Sequence, residues 1–242
     1  MRDAAFFELT DLLTRSLRGD EVLLCNLEGE DSDFVRLNGN RVRQAGGICA
    51  WNLHLDLIEG QRQAQAHCDL SGDLEEDLAR ARGLIERLRE RLPTVPDDPY
   101  LHYSTEPGVS HRILDGGAAG VDGKGATGAW DSAGVIADLC RAAEGLDLVG
   151  IWASGELSAG FASSLGHRHW HSSRSFNLDF SCYLEGDKAV KANLSGLAWD
   201  PQALEARLAG VRSDLEILTR PARTLAHGRY RAYLAPAAVM EI

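Results

Sequence analysis

Residues 145–199 alternate apolar and polar side chains over several long runs, and glycines punctuate those runs. Leu146, Leu148 and Ile151 begin an apolar strand, and Gly155 is expected to turn it. A second run, 157–165, ends in Gly166. From His167 the alternation continues long enough for one strand, with Phe176, Leu178 and Phe180 on one face and Asn177, Asp179 and Ser181 on the other. Gly186-Asp187 then turns the chain into 188–199. A period of two broken by glycine turns is the pattern of an antiparallel meander with one buried face.

The chain before this meander divides by its own periodicities. Residues 4–17 read as a helix, with Phe6, Leu9, Leu13 and Leu17 on one face and Asp3 placed to cap it. About five short strands follow, the commonest sheet size. Among them 33–37 and 41–45 flank Asn38-Gly39-Asn40, a strong hairpin signal. Residues 71–92 carry Leu74, Leu78, Ala81, Ile85, Leu88 and Leu92 at helical spacing, with an acidic start and a basic end that suit the helix dipole. Pro93 stops that helix.

After the meander, Pro201 opens a helix whose buried side is marked by Leu204, Leu208, Val211 and Leu215. Residues 229–234 read as a strand and Pro236 as a first helical turn. The expected fold class is therefore α+β: two domains, each a mainly antiparallel sheet with helices on one face. The boundaries are 1–96 for the N-terminal domain, 97–128 for a Pro/Gly-rich linker, 129–227 for the middle domain, which opens on a helix at 131–143, and 228–242 for the start of a further domain.

Composition narrows the function. The 242 residues carry a net charge of −11, which argues against a general nucleic-acid or membrane-surface partner. No run approaches the ~20 apolar residues of a membrane span. The N-terminus lacks a signal-peptide core, because Glu8 and Asp11 interrupt it. Five scattered cysteines without a C-x-x-C pair read as free thiols in a reducing cytoplasm.

Motifs for chemistry are sparse. Gly123-Lys124 lies in the glycine-rich run 116–128, but Ala118 stands where a phosphate loop needs glycine and Gly125 where it needs Ser or Thr. That run reads as a connector. No G-x-S-x-G is present. His167, His169 and His171 would share one face of a strand. Strand neighbours two apart are ~6.5–7 Å from each other, so the outer pair is too far separated to share an ion. At most two of the three would ligate, with a third ligand needed from His111, His102 or Cys182. The blander reading, an exposed polar face, is preferred, and His54, His67 and His227 read as isolated. No catalytic, cofactor-binding or metal-binding residue is assigned.

Several local motifs carry a family resemblance, in order along the chain. Residues 34–44 read F-V-R-L-N-G-N-R-V-R-Q; 97–100 read D-D-P-Y; 162–166 read A-S-S-L-G; and 228–236 read G-R-Y-R-A-Y-L-A-P. Together they resemble the TldD/PmbA family of bacterial proteases, long described as modulators of DNA gyrase. Ser163 stands where that family usually has Asn, and Trp51-Asn52-Leu53-His54 departs from its usual G-x-G-V-R.

The resemblance implies two α+β domains followed by a large β-rich third. In the metal-dependent branch the third domain holds an H-E-x-x-x-H zinc site, and the two branches pair as heterodimers. Neither H-E-x-x-x-H nor H-E-x-x-H occurs in this sequence, so the zinc and its chemistry are not expected in this chain. Two readings of function follow. One is the N-terminal, non-catalytic portion of a protease component that shapes a substrate channel and a dimer interface. The other is a stand-alone binding or assembly module. The partners the first implies are a peptide or unfolded protein and a second family member, as homo- or heterodimer.

Overall fold

The structure is a computed structural model that describes residues 3–114, 131–240 and 242. Its first helix, α1 (Asp3–Thr14), buries Phe6, Leu9, Thr10 and Leu13. Two long strands follow, β1 (Val22–Asn38) and β2 (Arg41–Glu59). Gly39 and Asn40 turn between them with φ of 57° and 55°, as a two-residue hairpin turn of matching twist requires. The register slips between Arg36 and Leu37, a bulge near the hairpin tip. Then come β3 (Arg62–Asp69) and α2 (Leu74–Arg91). Asp73 caps α2 by accepting from the Glu76 N–H, while the buried Asp77 carboxylate accepts from the Ser71 and Gly72 N–H groups.

Next are β4 (Val109–Leu114), α3 (Ser132–Ala142), β5 (Asp147–Ser163), β6 (Arg168–Tyr183), β7 (Ala189–Gly196), α4 (Pro201–Leu218) and the short α5 (Pro236–Val239).

The fold is α+β, with the helices packed on a mainly antiparallel sheet, but the expected pair of sheets is replaced by one. All seven strands among the described residues join in the order β3-β2-β1-β5-β6-β4, with β7 also on β6. The reason is continuity of β1. The strands expected at 21–27 and 33–37 are a single strand, which pairs with β5 from Leu24↔Ser163 to Leu37↔Gly150. The first segment accordingly holds three strands rather than five.

The odd-numbered residues of β1 face the helices throughout. Near its start Leu23, Cys25 and Leu27 join Phe6, Leu9, Ile85 and Trp170 in one apolar core under α1 and α2. Near its end Val35 and Leu37 join Leu139, Trp152, Leu178 and Leu208 in a second core under α3 and α4. Two cores thus share one face of one sheet.

Other departures are local. Residues 97–128, expected as linker, contain β4, which lies parallel to β6 from Val109↔Arg168 to Leu114↔Ser173. The glycine-rich run 116–128 lies outside the described residues. Residues 229–234 are exposed and carry no strand, although Pro236 does open α5.

Gly155 does not turn the chain either; β5 runs straight through it. Here glycine answers a close approach. A Cβ would lie 2.4 Å from the Asp31 carbonyl oxygen and from Ser32 Cα on β1. Gly155→Val is expected to cost roughly 1–3 kcal/mol by forcing the two strands apart. Urea unfolding checks this, and an unchanged midpoint would contradict the close packing.

Candidate functional site

The histidines of the 167–171 stretch separate. His167 precedes β6 and is 5% exposed. Its Nδ1 lies 2.7 Å from Ser163 Oγ, and that oxygen also accepts from the Leu165 N–H at 3.1 Å. This has the outline of a nucleophile beside a base, but nothing orients the ring from its far side, because the buried Nε2 has no partner among the described residues. The pair ties the β5–β6 turn. His169 sits on β6 with Nδ1 2.7 Å from Ser110 Oγ and its ring stacked on Phe161 at 6.0 Å. His171 is exposed.

The residues named as possible third ligands lie elsewhere. His111 faces the helix side, its Nε2 2.9 Å from Asp3 Oδ2, and Cys182 is buried in the second core. Among the described residues no group of three His, Cys, Asp or Glu side chains is placed to hold a metal ion. All five cysteines are free. Burial pushes the Cys25 thiol up to about 12 and the Cys182 thiol to about 11, so neither is a ready nucleophile.

Topology instead gathers histidines on the sheet face turned away from the helices. His54 and His67 are not isolated: they sit opposite each other on β2 and β3, ring centroids 5.6 Å apart. The same cross-strand row continues through Asn26 and Phe161 to His169 and Ser110. A shallow polar basin of about 370 Å³ lies at one end, lined by Glu28, His54, Asp56, Gln65 and His67. Desolvation raises the Asp56 carboxyl above its ordinary range, partly offset by a hydrogen bond from Gln65. Sequence periodicity gave each strand its faces. It did not give the partner strands, so this row was invisible.

The helix side carries two further features between and beside the cores. Arg174, Glu156 and Asp31 stand in one cross-strand row that separates them. Arg174 forms no ion pair there among the described residues, and its buried Nε has no partner. Beyond this row, a groove of about 710 Å³ opens between α3 and the distal ends of β1 and β2. Val35, Val42, Ala45, Ile136 and Cys140 give it an apolar lining, with Asp33 and Ser132 at its polar end. Ser132 Oγ lies 3.3 Å from Ser154 Oγ and 3.5 Å from Asp33 Oδ2.

Alongside this groove the outer edge of β2 is unpaired among the described residues, since β3 covers only Asn52–Glu59 of that strand. No sequence signal marked the groove beyond the interruption of the β2 alternation at Ala45-Gly46-Gly47.

No protein-family model matches the sequence, and no curated protein gives a significant match. Solved structures do match. One is a protein of Thermotoga maritima named as a modulator of DNA gyrase, at TM-score 0.59 and 12% identity, covering 87% of this chain and 48% of its own. Another is TldE of Thermococcus kodakarensis, at TM-score 0.59 and 13% identity, covering 86% and 47%. A third, from Bacteroides thetaiotaomicron and also named as a modulator of DNA gyrase, has TM-score 0.54 and 12% identity, covering 86% and 49%.

The chain has their fold. It spans about half the length of each structure it matches. The fold likeness agrees with the resemblance; the hairpin motif lies on β1 and β2 and the glycine turn follows β5, whereas Asp98-Pro99-Tyr100 lies in the stretch between α2 and β4. No helix among the described residues is long and apolar enough to cross a membrane.

Proposed function

We propose that this chain is the N-terminal, non-catalytic portion of a TldD/PmbA-like protease component. In this reading it helps to shape a substrate channel and a dimer interface that serve a peptide or unfolded-protein substrate in the cytoplasm. The observation that carries the reading is the fold likeness: 86% of this chain superposes on 47% of TldE. The sequence supports it by lacking any H-E-x-x-x-H, which leaves the polarising metal and its glutamate to another chain or domain. Among the described residues one face of the sheet carries no packed helix and its edges are unpaired, which offers surfaces for such assembly.

The test mixes the purified chain with a TldD-type protein that carries the H-E-x-x-x-H site. Co-elution as a defined complex, with altered cleavage of an unstructured peptide, is expected. The chain alone is expected to leave the same peptide intact. Cleavage by the chain alone that a chelator abolishes would overturn the non-catalytic assignment. Separate elution with unchanged cleavage would favour the stand-alone binding module.

A further inference from the structure

The strand edge beside the apolar groove joins two features that suit the same ligand. β1 pairs with residues 41–50 of β2 on one side; on the other side no described strand pairs with them, and every second residue turns its N–H and C=O outward. Val42 and Ile48 on this edge are 54% and 45% exposed. An unpaired, partly apolar edge is a template for another strand. Directly beside it lies the groove under α3, on the helix side of the sheet. A strand added at the edge would place alternate side chains over that groove and leave the others on the open face.

Charge and size say what kind of strand fits. Arg36, Arg41 and Arg43 crowd the hairpin end, and none of them forms an ion pair among the described residues. In a chain of net charge −11 such a basic end is complementary to carboxylates. A second copy pairing edge to edge fits poorly. On the helix side its own edge would bring Val42, Ala45, Gly47 and Cys49, and with Val42 the one side chain larger than cysteine this set is too small to fill about 710 Å³.

We propose that the free edge of β2 and the groove beside it bind an extended polypeptide segment as an added strand. The segment carries bulky apolar side chains at alternate positions and carboxylates at the end that meets the three arginines. Backbone hydrogen bonds hold it, the groove selects its alternate side chains, and the arginines fix its direction. The inference sharpens the peptide-handling role proposed above, yet it stands on the edge and groove alone.

The test uses a fluorescein-labelled peptide of alternating leucine and threonine that ends in two glutamates, titrated with the full chain and read by fluorescence anisotropy. Saturable binding is expected, with slowed amide exchange along 41–50. Ala137→Arg places a long side chain at the groove from the exposed face of α3. Arg41→Glu with Arg43→Glu reverses the charged end. Each variant is expected to weaken binding at least about tenfold, a loss of roughly 1.4 kcal/mol, while unfolding at the unchanged temperature. N-methylation of alternate peptide amides is expected to abolish binding.

Absence of saturable binding would overturn the proposal, as would equal affinity for all variants. Protection of 41–50 that rises with protein concentration and a doubled mass, without peptide, would assign the edge to a second copy and equally overturn it. Peptide binding without any complex with a TldD-type protein would leave this inference standing while the protease-component reading fell.

Discussion

Trp152→Ala is expected to lower stability by about 3–5 kcal/mol, the range for deleting a large aromatic from a core. Trp152 is fully buried on β5, stacked on Phe176 at 4.9 Å and edge-on to Trp199 at 5.4 Å. Its indole N–H donates to Ser154 Oγ at 3.1 Å, so its one polar group is satisfied. Truncation therefore removes apolar burial and two aromatic contacts, leaves Ser154 with Ser132 as its partner, and opens a cavity in the second core. For a chain of this size the unfolding temperature is expected to fall by roughly 10 °C. Calorimetry of Trp152→Ala beside Trp152→Phe reads the effect, and a loss below about 1 kcal/mol would mean that the second core is not packed as described.

The second large effect lies at the other core. Arg89 on α2 grips Glu21 with two hydrogen bonds, Nε to Oε1 at 2.6 Å and a terminal nitrogen to Oε2 at 2.7 Å. It also donates to the Ser16 carbonyl at 2.8 Å, pinning the α1–β1 turn to α2. The two side chains are only 11% and 7% exposed. Arg89→Ala leaves the nearly buried Glu21 carboxylate with the Arg18 N–H but without its cation, and a loss of about 3 kcal/mol is expected at neutral pH.

The pH dependence has a definite sign. Hydrogen bonds from Arg89 hold the Glu21 carboxyl below its ordinary range, against the opposing pull of burial. A depressed folded-state value means the contribution is present above the unfolded glutamate value of about 4.3 and is lost as pH falls through the folded one. The stability gap between the native chain and Arg89→Ala should therefore narrow below about pH 4. Urea midpoints at pH 7 and in mild acid measure it, and a gap that widens in acid would refute the assignment.

These effects bear on how much of the fold was legible beforehand. Helices with strong periodicity were: the leucine spacing up to Pro93 gave α2, and Pro201 with Leu204, Leu208, Val211 and Leu215 gave α4, whereas the caps Asp73, Asp131 and Asp200 emerge only with the structure. The hairpin at Gly39-Asn40 was legible because its backbone demands those residue types. The alternation of Phe176, Leu178 and Phe180 gave the buried face of β6 correctly. Glycines misled where their role is steric: Gly155 reads as a turn in one dimension but serves strand proximity in three.

Pairing between distant strands was the main thing hidden. Local pattern cannot show that Val35 faces Trp152 or that His54 faces His67, so the single sheet, the histidine row and the groove emerge only with register. β4 was hidden because all but the last of its residues are exposed, and an edge strand without a buried face has no period to read.

The continuity of the long strands also limits how the molecule can move. The helix layers over the two ends of the sheet share an uninterrupted floor, fourteen matched positions long between β1 and β5. Among the described residues this floor carries no break at which one end could swing toward the other. Any response to a guest along the β2 margin must then take the form of α3 sliding or tilting on a stiff base, not of jaws closing around the visitor.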